Sequence, residues 1–129
     1  MKEVLAVIRA NMMNQTKRAL SDAGVSSMTA TDCLGRGKGY VDFKVLEGAK
    51  EGFQEAIEAL GAGQRLIPKR LISIVLPDNM VEKTVQTIIK VNQTGAPGDG
   101  KIFVSPVWES VRVRTGETGD MTLDEEVGG

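Results

Sequence analysis

Leu71-Ile72-Ser73-Ile74-Val75-Leu76-Pro77-Asp78-Asn79 is the stretch that decides the fold. A short run of almost continuous apolar residues stopped by Pro-Asp reads as a strand, and Asp78 or Asn79 is placed to cap the helix that follows. Val81, Thr84, Val85, Ile88 and Ile89 then recur at the three- and four-residue spacing of a buried helical stripe. After a glycine-rich turn, Ile102 to Val104 and Val107 to Val113 supply further strand material. The segment from Leu71 onward is therefore a strand, a helix and a strand.

The N-terminal part has the same order. Val4 to Ile8 is a short apolar run of strand length. Met12, Met13, Thr16, Ala19, Leu20 and Ala23 follow at helical spacing, and Gly24 stands where a C-terminal glycine cap belongs. Met28 to Leu34 completes the unit as a second strand. Two strand-helix-strand units in tandem predict an α+β, ferredoxin-like βαββαβ domain, an antiparallel sheet with both helices on one face. Val and Ile occur on both parities of the first and third strands, so the uncovered face is expected to be closed by oligomerisation.

The two units are separated by roughly 35 residues, Gly35 to Lys69. Connections are typically about 4 to 6 residues long, and an insertion of this length is normally functional. It opens with Gly35-Arg36-Gly37-Lys38-Gly39, glycines interleaved with cations, which suits either an anion nest or a hinge. Ala49, Phe53, Ala56, Ile57 and Leu60 predict a short amphipathic helix over Glu47 to Leu60, stopped by Gly61-Ala62-Gly63. Gly48 and Gly52 weaken that helix, which points to a segment ordered on binding a partner.

Composition narrows the function. The 129 residues form one domain, and 16 Lys plus Arg against 17 Asp plus Glu leave a net charge of −1. That balance supplies no field for general nucleic-acid binding. Histidine is absent, which removes His-based metal sites, catalytic triads and an imidazole base. The single Cys33 reads as a small buried residue. The apolar run at the N-terminus is too short for a signal-peptide core or a membrane span, so a cytoplasmic protein without a membrane partner is expected. The acidic end, Asp120 to Gly129, reads as a solvated terminus.

The chemistry concentrates late in the chain. In Thr94-Gly95-Ala96-Pro97-Gly98-Asp99-Gly100-Lys101 the glycines allow close backbone approach to an anion, and Lys101 adds a positive charge. Ile102 stands where a Walker loop needs its hydroxyl, and a strand rather than a helix follows, so this is not a Walker loop. Arg112 and Arg114, two apart, share a face if their segment is a strand and form a pair of forks for phosphate oxygens. Singly, these features also suit an ordinary tight turn and a solvated strand face; together they favour a polyanionic ligand.

Several of these segments taken together resemble the PII signal-transduction protein family. They are Met1 to Arg9, Met28-Thr29-Ala30-Thr31, Leu66-Ile67-Pro68-Lys69 and Ile74-Val75-Leu76-Pro77-Asp78. Thr94-Gly95 with Gly98 to Val104, and Arg112-Val113-Arg114-Thr115-Gly116-Glu117, complete the set. The resemblance implies a ferredoxin-like trimer with ATP or ADP in the clefts between subunits and a long mobile T-loop, here residues 35–69. By the same resemblance Gly98, Asp99, Gly100 and Lys101 wrap the phosphates, Arg112 and Arg114 reach across from the adjacent subunit, and Thr29 lies near the adenine. Gly35 with Arg36 or Lys38 matches the base of the loop, and Lys69 matches the lysine that pairs with 2-oxoglutarate, with Mg2+ bridging the two ligands.

Two departures stand out. Arg36-Gly37-Lys38-Gly39 lacks the glutamine usual at the loop base, so metal-assisted 2-oxoglutarate binding is altered or uses another group. Tyr40, the only tyrosine, lies near the base and not at the tip, which argues against uridylylation. The loop and Pro106-Val107-Trp108-Glu109 resemble the branch found beside nitrogenase genes, which implies a homo- or hetero-trimer with a second PII-like chain that inhibits nitrogenase when ammonium is plentiful. A regulator of an ammonium transporter or a biosynthetic kinase is the next reading. An ATP-dependent phosphotransferase with Asp99 as base is a third, which lacks a magnesium carboxylate pair.

Overall fold

The computed structural model describes residues 1–36 and 66–124. Among these, β1 (Lys2–Arg9) leads through a 3-10 turn at Ala10–Met12 into α1 (Met13–Asp22) and then β2 (Thr29–Gly35). After the insertion come β3 (Ile67–Leu76), α2 (Asp78–Asn92), β4 (Lys101–Pro106) and a 3-10 turn at Asp120–Thr122. The strands form one sheet in the order β2-β3-β1-β4, and every neighbouring pair is antiparallel. This is the ferredoxin-like arrangement expected from the sequence. Among the described residues no helix is long and apolar enough to cross a membrane. The helix expected over Glu47 to Leu60, and the loop around it, lie outside the described residues.

Alternation along the strands builds the core. Val4, Ala6 and Ile8 of β1 are buried, as are Ile72, Ile74 and Leu76 of β3, and the register sets Val4 opposite Ile74 and Ala6 opposite Ile72. Leu20 of α1, Val25, and Ile88 of α2 close over them. The helices are also joined by a polar link, since buried Asn92 Nδ2 donates to Thr16 Oγ1 at 3.0 Å and to the Ile88 carbonyl at 3.0 Å. The opposite parity carries Leu5, Val7, Leu71, Val75 and Phe103, and Phe103 is 52% exposed. That face is apolar where a monomer would be polar.

Five local expectations change. Residues Val107 to Val113 are not a strand; Val111 makes only an isolated bridge to Thr118. Neither Asp78 nor Asn79 is the N-cap. Pro77 holds that position without a side-chain bond, and Asp78, in the first turn, pairs with the Met1 ammonium at 3.1 Å. β3 starts before Pro68, at Ile67, because Pro68 lies past Lys69, the last residue paired with β1, and a missing N–H forfeits no bond on that edge. The insertion is correspondingly shorter than Gly35 to Lys69, since Gly35 and Ile67 form the last pair of the β2–β3 ladder. Finally, residues Asp120 to Asp124 are held against the domain and are not a solvated terminus.

The packing predicts a face-specific response to truncation. Ile74→Ala, at a fully enclosed position, should destabilise the domain by about 2 to 5 kcal/mol, while Val75→Ala on the other face should cost less. Urea denaturation of the two variants checks the contrast.

Candidate functional site

The glycine-rich turn is organised by one carboxylate. Asp99 Oδ2 accepts the backbone N–H groups of Thr94 at 2.7 Å and Gly95 at 2.9 Å, while Oδ1 accepts the Thr94 hydroxyl. From the far end of β1, Arg9 Nη1 donates to Asp99 Oδ1 at 2.8 Å and Nη2 to the Pro97 carbonyl at 3.1 Å. The Thr94 hydrogen bonds first, and then Arg9 and Gly95, hold the Asp99 carboxyl well below the usual carboxylate range. Asp99 is thus an acceptor committed to the turn. A general base must have that capacity available, and this geometry does not provide it.

Gly100 brings the turn onto β1. Its φ is +122°, and a Cβ there would stand 2.2 Å from the Val7 carbonyl oxygen. Only glycine fits such an approach. Lys101, which opens β4 opposite Val7, is exposed at the rim. The backbone at Gly95 and Gly98 is also left-handed, at φ +84° and +97°.

Lys69 approaches from β3 and is 6% exposed. Its Nζ donates to the Gly98 carbonyl at 3.3 Å. Burial, and then the nearby Arg9 charge, push its ammonium below the ordinary lysine value, against the opposing pull of Cys33 and Asp99. Cys33 sits directly across the ladder from Lys69 and is half-buried, less enclosed than its sequence context suggested. Gly35 is the last residue of β2, and Arg36, exposed, follows it; Lys38 lies outside the described residues.

The structure therefore brings Lys69, Gly98, Asp99, Gly100 and Lys101 into one corner and adds Arg9, which sequence reasoning missed. The Arg9–Asp99 pair spans 90 positions, so no local pattern reports it. Thr29 lies elsewhere, lining a pocket of about 210 Å³ with Met28 and Val75. Arg112 and Arg114 do not form a strand-borne pair of forks. They sit in a turn in which the Thr115 and Gly116 N–H groups bond to the Arg112 carbonyl, and the Arg112 side chain pairs with Glu117 at 2.7 Å. The Thr115 hydroxyl and then Arg112 lower the Glu117 pKa. A larger groove of about 470 Å³ lies on the helix side of the glycine turn, but Val85, Ile88, Ile89 and Ile102 make its walls mainly apolar and unsuited to a polyanion.

Among the described residues, no cluster of three or more His, Cys, Asp or Glu could hold a metal ion. The profile of a known family, Nitrogen regulatory protein P-II, matches residues 1–117. The chain belongs to the P-II family. Similar proteins include a "Nitrogen fixation nifHD region GlnB-like protein 2" of Methanothermococcus thermolithotrophicus. It is 47% identical over 126 residues, covering 95% of this chain and 98% of that protein. A protein of the same description from Methanobacterium ivanovii is 46% identical over 125 residues, covering 93% and 97%. A "Nitrogen regulatory protein P-II" of Cereibacter sphaeroides is 36% identical over 120 residues, covering 93% and 97%. Among solved structures, Arabidopsis thaliana PII bound to citrate superposes with a TM-score of 0.69 at 29% identity, covering 99% of this chain and 93% of that one.

Membership in the P-II family makes the chain one of a class of nitrogen regulators. The tightest constraint in its corner is Gly100. Gly100→Ala should destabilise the protein by at least about 2 kcal/mol, since left-handed strain and overpacking each cost about 1 to 3 kcal/mol. Thermal denaturation measures it, with Gly95→Ala, where a Cβ would meet open space, as the milder comparison.

Proposed function

We propose that this chain is a non-catalytic sensor that binds ATP or ADP together with 2-oxoglutarate at the seams of a homo- or hetero-trimer. Its inserted loop then engages or releases a target, and the target is a nitrogenase component held inactive when ammonium is plentiful. The observation that carries this reading is the hydrogen bond from Lys69 to Gly98. Lys69 stands two residues from the Gly35–Ile67 pair that closes the insertion, so the base of the loop is wired to the phosphate-type turn. A ligand in that corner has a direct route to the loop, and it shifts the loop only through unequal affinity for its postures.

Several features support the ligand set. Gly98 and Gly100 free the backbone of the turn for close approach, and Lys101 and Lys69 supply cations for phosphate and carboxylate oxygens. A dicarboxylate beside a triphosphate needs such cations to offset repulsion. Citrate, the ligand named for the Arabidopsis protein, is itself a polycarboxylate. With Asp99 engaged by its own turn and no glutamine at the loop base, a bridging Mg2+ would take its ligands chiefly from the bound molecules. The apolar face of Leu5, Val7, Leu71, Val75 and Phe103 suits subunit packing, and Arg112 and Arg114 are assigned to the neighbour's cleft. The relatives named for the nif region favour nitrogenase over a transporter or kinase as the target.

Calorimetric titration with ATP, ADP and 2-oxoglutarate, with and without Mg2+, tests the whole reading; a monomer indifferent to all three ends it. Lys101→Ala and Arg114→Ala should each weaken ATP binding by about 1.5 to 3 kcal/mol. ATP turnover at about 1 per second or faster with an added acceptor would instead make the protein an enzyme.

Lys69 also sets a pH dependence. Its depressed pKa means that the ammonium is lost, as pH rises, before the ordinary lysine value of 10.5 is reached. Affinity for 2-oxoglutarate should fall along that alkaline limb, and Lys69→Arg should remove the limb because a guanidinium does not titrate there. Titrations between neutral and alkaline pH read both outcomes.

A further inference from the structure

The groove of about 470 Å³ between α2 and the glycine turn is bordered by a polar side chain that the fold leaves half answered. Val85, Ile88 and Ile89 of α2 line it with Ile8 of β1 and Ile102 of β4, and Asn92 and Gln93 join them at the end of the helix. Asn92 is 5% exposed, and its Oδ1 is buried without a hydrogen-bond partner among the described residues. Buried polar atoms are nearly always paired, so one left over asks for a physical reason.

The atom left over is the oxygen and not the nitrogen. Thr16 Oγ1 donates its only proton to the Met12 carbonyl at 2.7 Å, so towards Asn92 it can only accept, and the Ile88 carbonyl can likewise only accept. Both contacts therefore require N–H groups. This fixes the amide with Nδ2 on Thr16 and Ile88, each at 3.0 Å, and leaves the lone pairs of Oδ1 unfilled by any described residue. What the groove lacks is a donor.

We infer that this groove is a binding site for a small neutral molecule, an apolar body carrying one N–H or O–H group that donates to Asn92 Oδ1. The volume lies within the range of about 300 to 1,000 Å³ common for small-molecule sites. The walls select against charge, since Ile8 and Ile88 are each 1% exposed and an ion set against them would lose hydration with nothing to replace it. The donor reaches Oδ1 by pressing aside Ile89 or Gln93, neither of which is enclosed. Asp99, Gly100 and Lys101 also border the groove, so an occupant touches the glycine turn from the helix side, whatever the cationic corner binds.

Indole and benzofuran have nearly the same shape and differ in an N–H against a ring oxygen, so the pair probes the donor directly. In NMR titrations of the full chain, indole should bind and move the methyl signals of Ile88, Ile89 and Ile102. The indole-to-benzofuran affinity ratio should be about fivefold or more higher in the wild type than in Asn92→Leu, the scale of one hydrogen bond. Val85→Trp, which places bulk in the groove and leaves the amide in place, should abolish binding of both probes, and it carries the test if Asn92→Leu does not fold. Failure of indole to bind the wild type, binding that leaves those three methyl groups unmoved, an unchanged ratio in Asn92→Leu, or indole binding retained in Val85→Trp each overturns the inference.

Discussion

Strand β1 is hydrogen-bonded along both edges, to β3 and to β4, and its last residues carry the functional corner. The Val7 carbonyl leaves no room for a side chain at Gly100, and Arg9 closes on Asp99 and Pro97. Because β1 is one of the two inner strands and alternates Val4, Ala6 and Ile8 into the core, the turn is referenced to the packed centre of the domain. A glycine-rich turn left to itself would sample many conformations. Here a carboxylate, a guanidinium and a backbone contact leave it one.

That arrangement divides the face of the sheet turned away from the helices. One end gathers Arg9, Lys69 and Lys101 around the turn, and a buried ammonium at Lys69 is tolerable because the Gly98 carbonyl and the Asp99 charge answer it. The other end gathers hydroxyls and the Asp124 carboxylate. The two ends of this face thus differ in chemistry, cations at one and hydroxyl and carboxylate oxygens at the other. The Gly35–Ile67 pair, two residues from Lys69, sets the cationic end beside the point where the inserted segment leaves the sheet.

Much of the fold was legible in advance. The apolar run of Leu71 to Leu76, the helical stripe after it, and the same order from Val4 to Leu34 specify two strand-helix-strand units, because the period of a pattern is a local property of the chain. Val107 to Val113 misled for the same reason. Its alternation of Val with Arg is strand-like, yet among the described residues it joins no strand of the sheet, and the segment turns back at Arg112 to Gly116 instead. Asp78 looked like a cap by its position, but an ammonium 3.1 Å away is a stronger partner for a carboxylate than a helix N–H.

The sequence by itself determined the elements, their order, the obligatory glycines of the turn, and the family to which residues 1–117 belong. Only the tertiary structure decided which charges meet. Arg9 and Asp99, Lys69 and Gly98, and Ser27 and Asp124 are brought together by sheet register and by the path of the C-terminal segment. Local periodicity is carried by neighbours a few residues apart, whereas a partner 90 positions away is chosen by how strands align, and that alignment exists only once the core has closed.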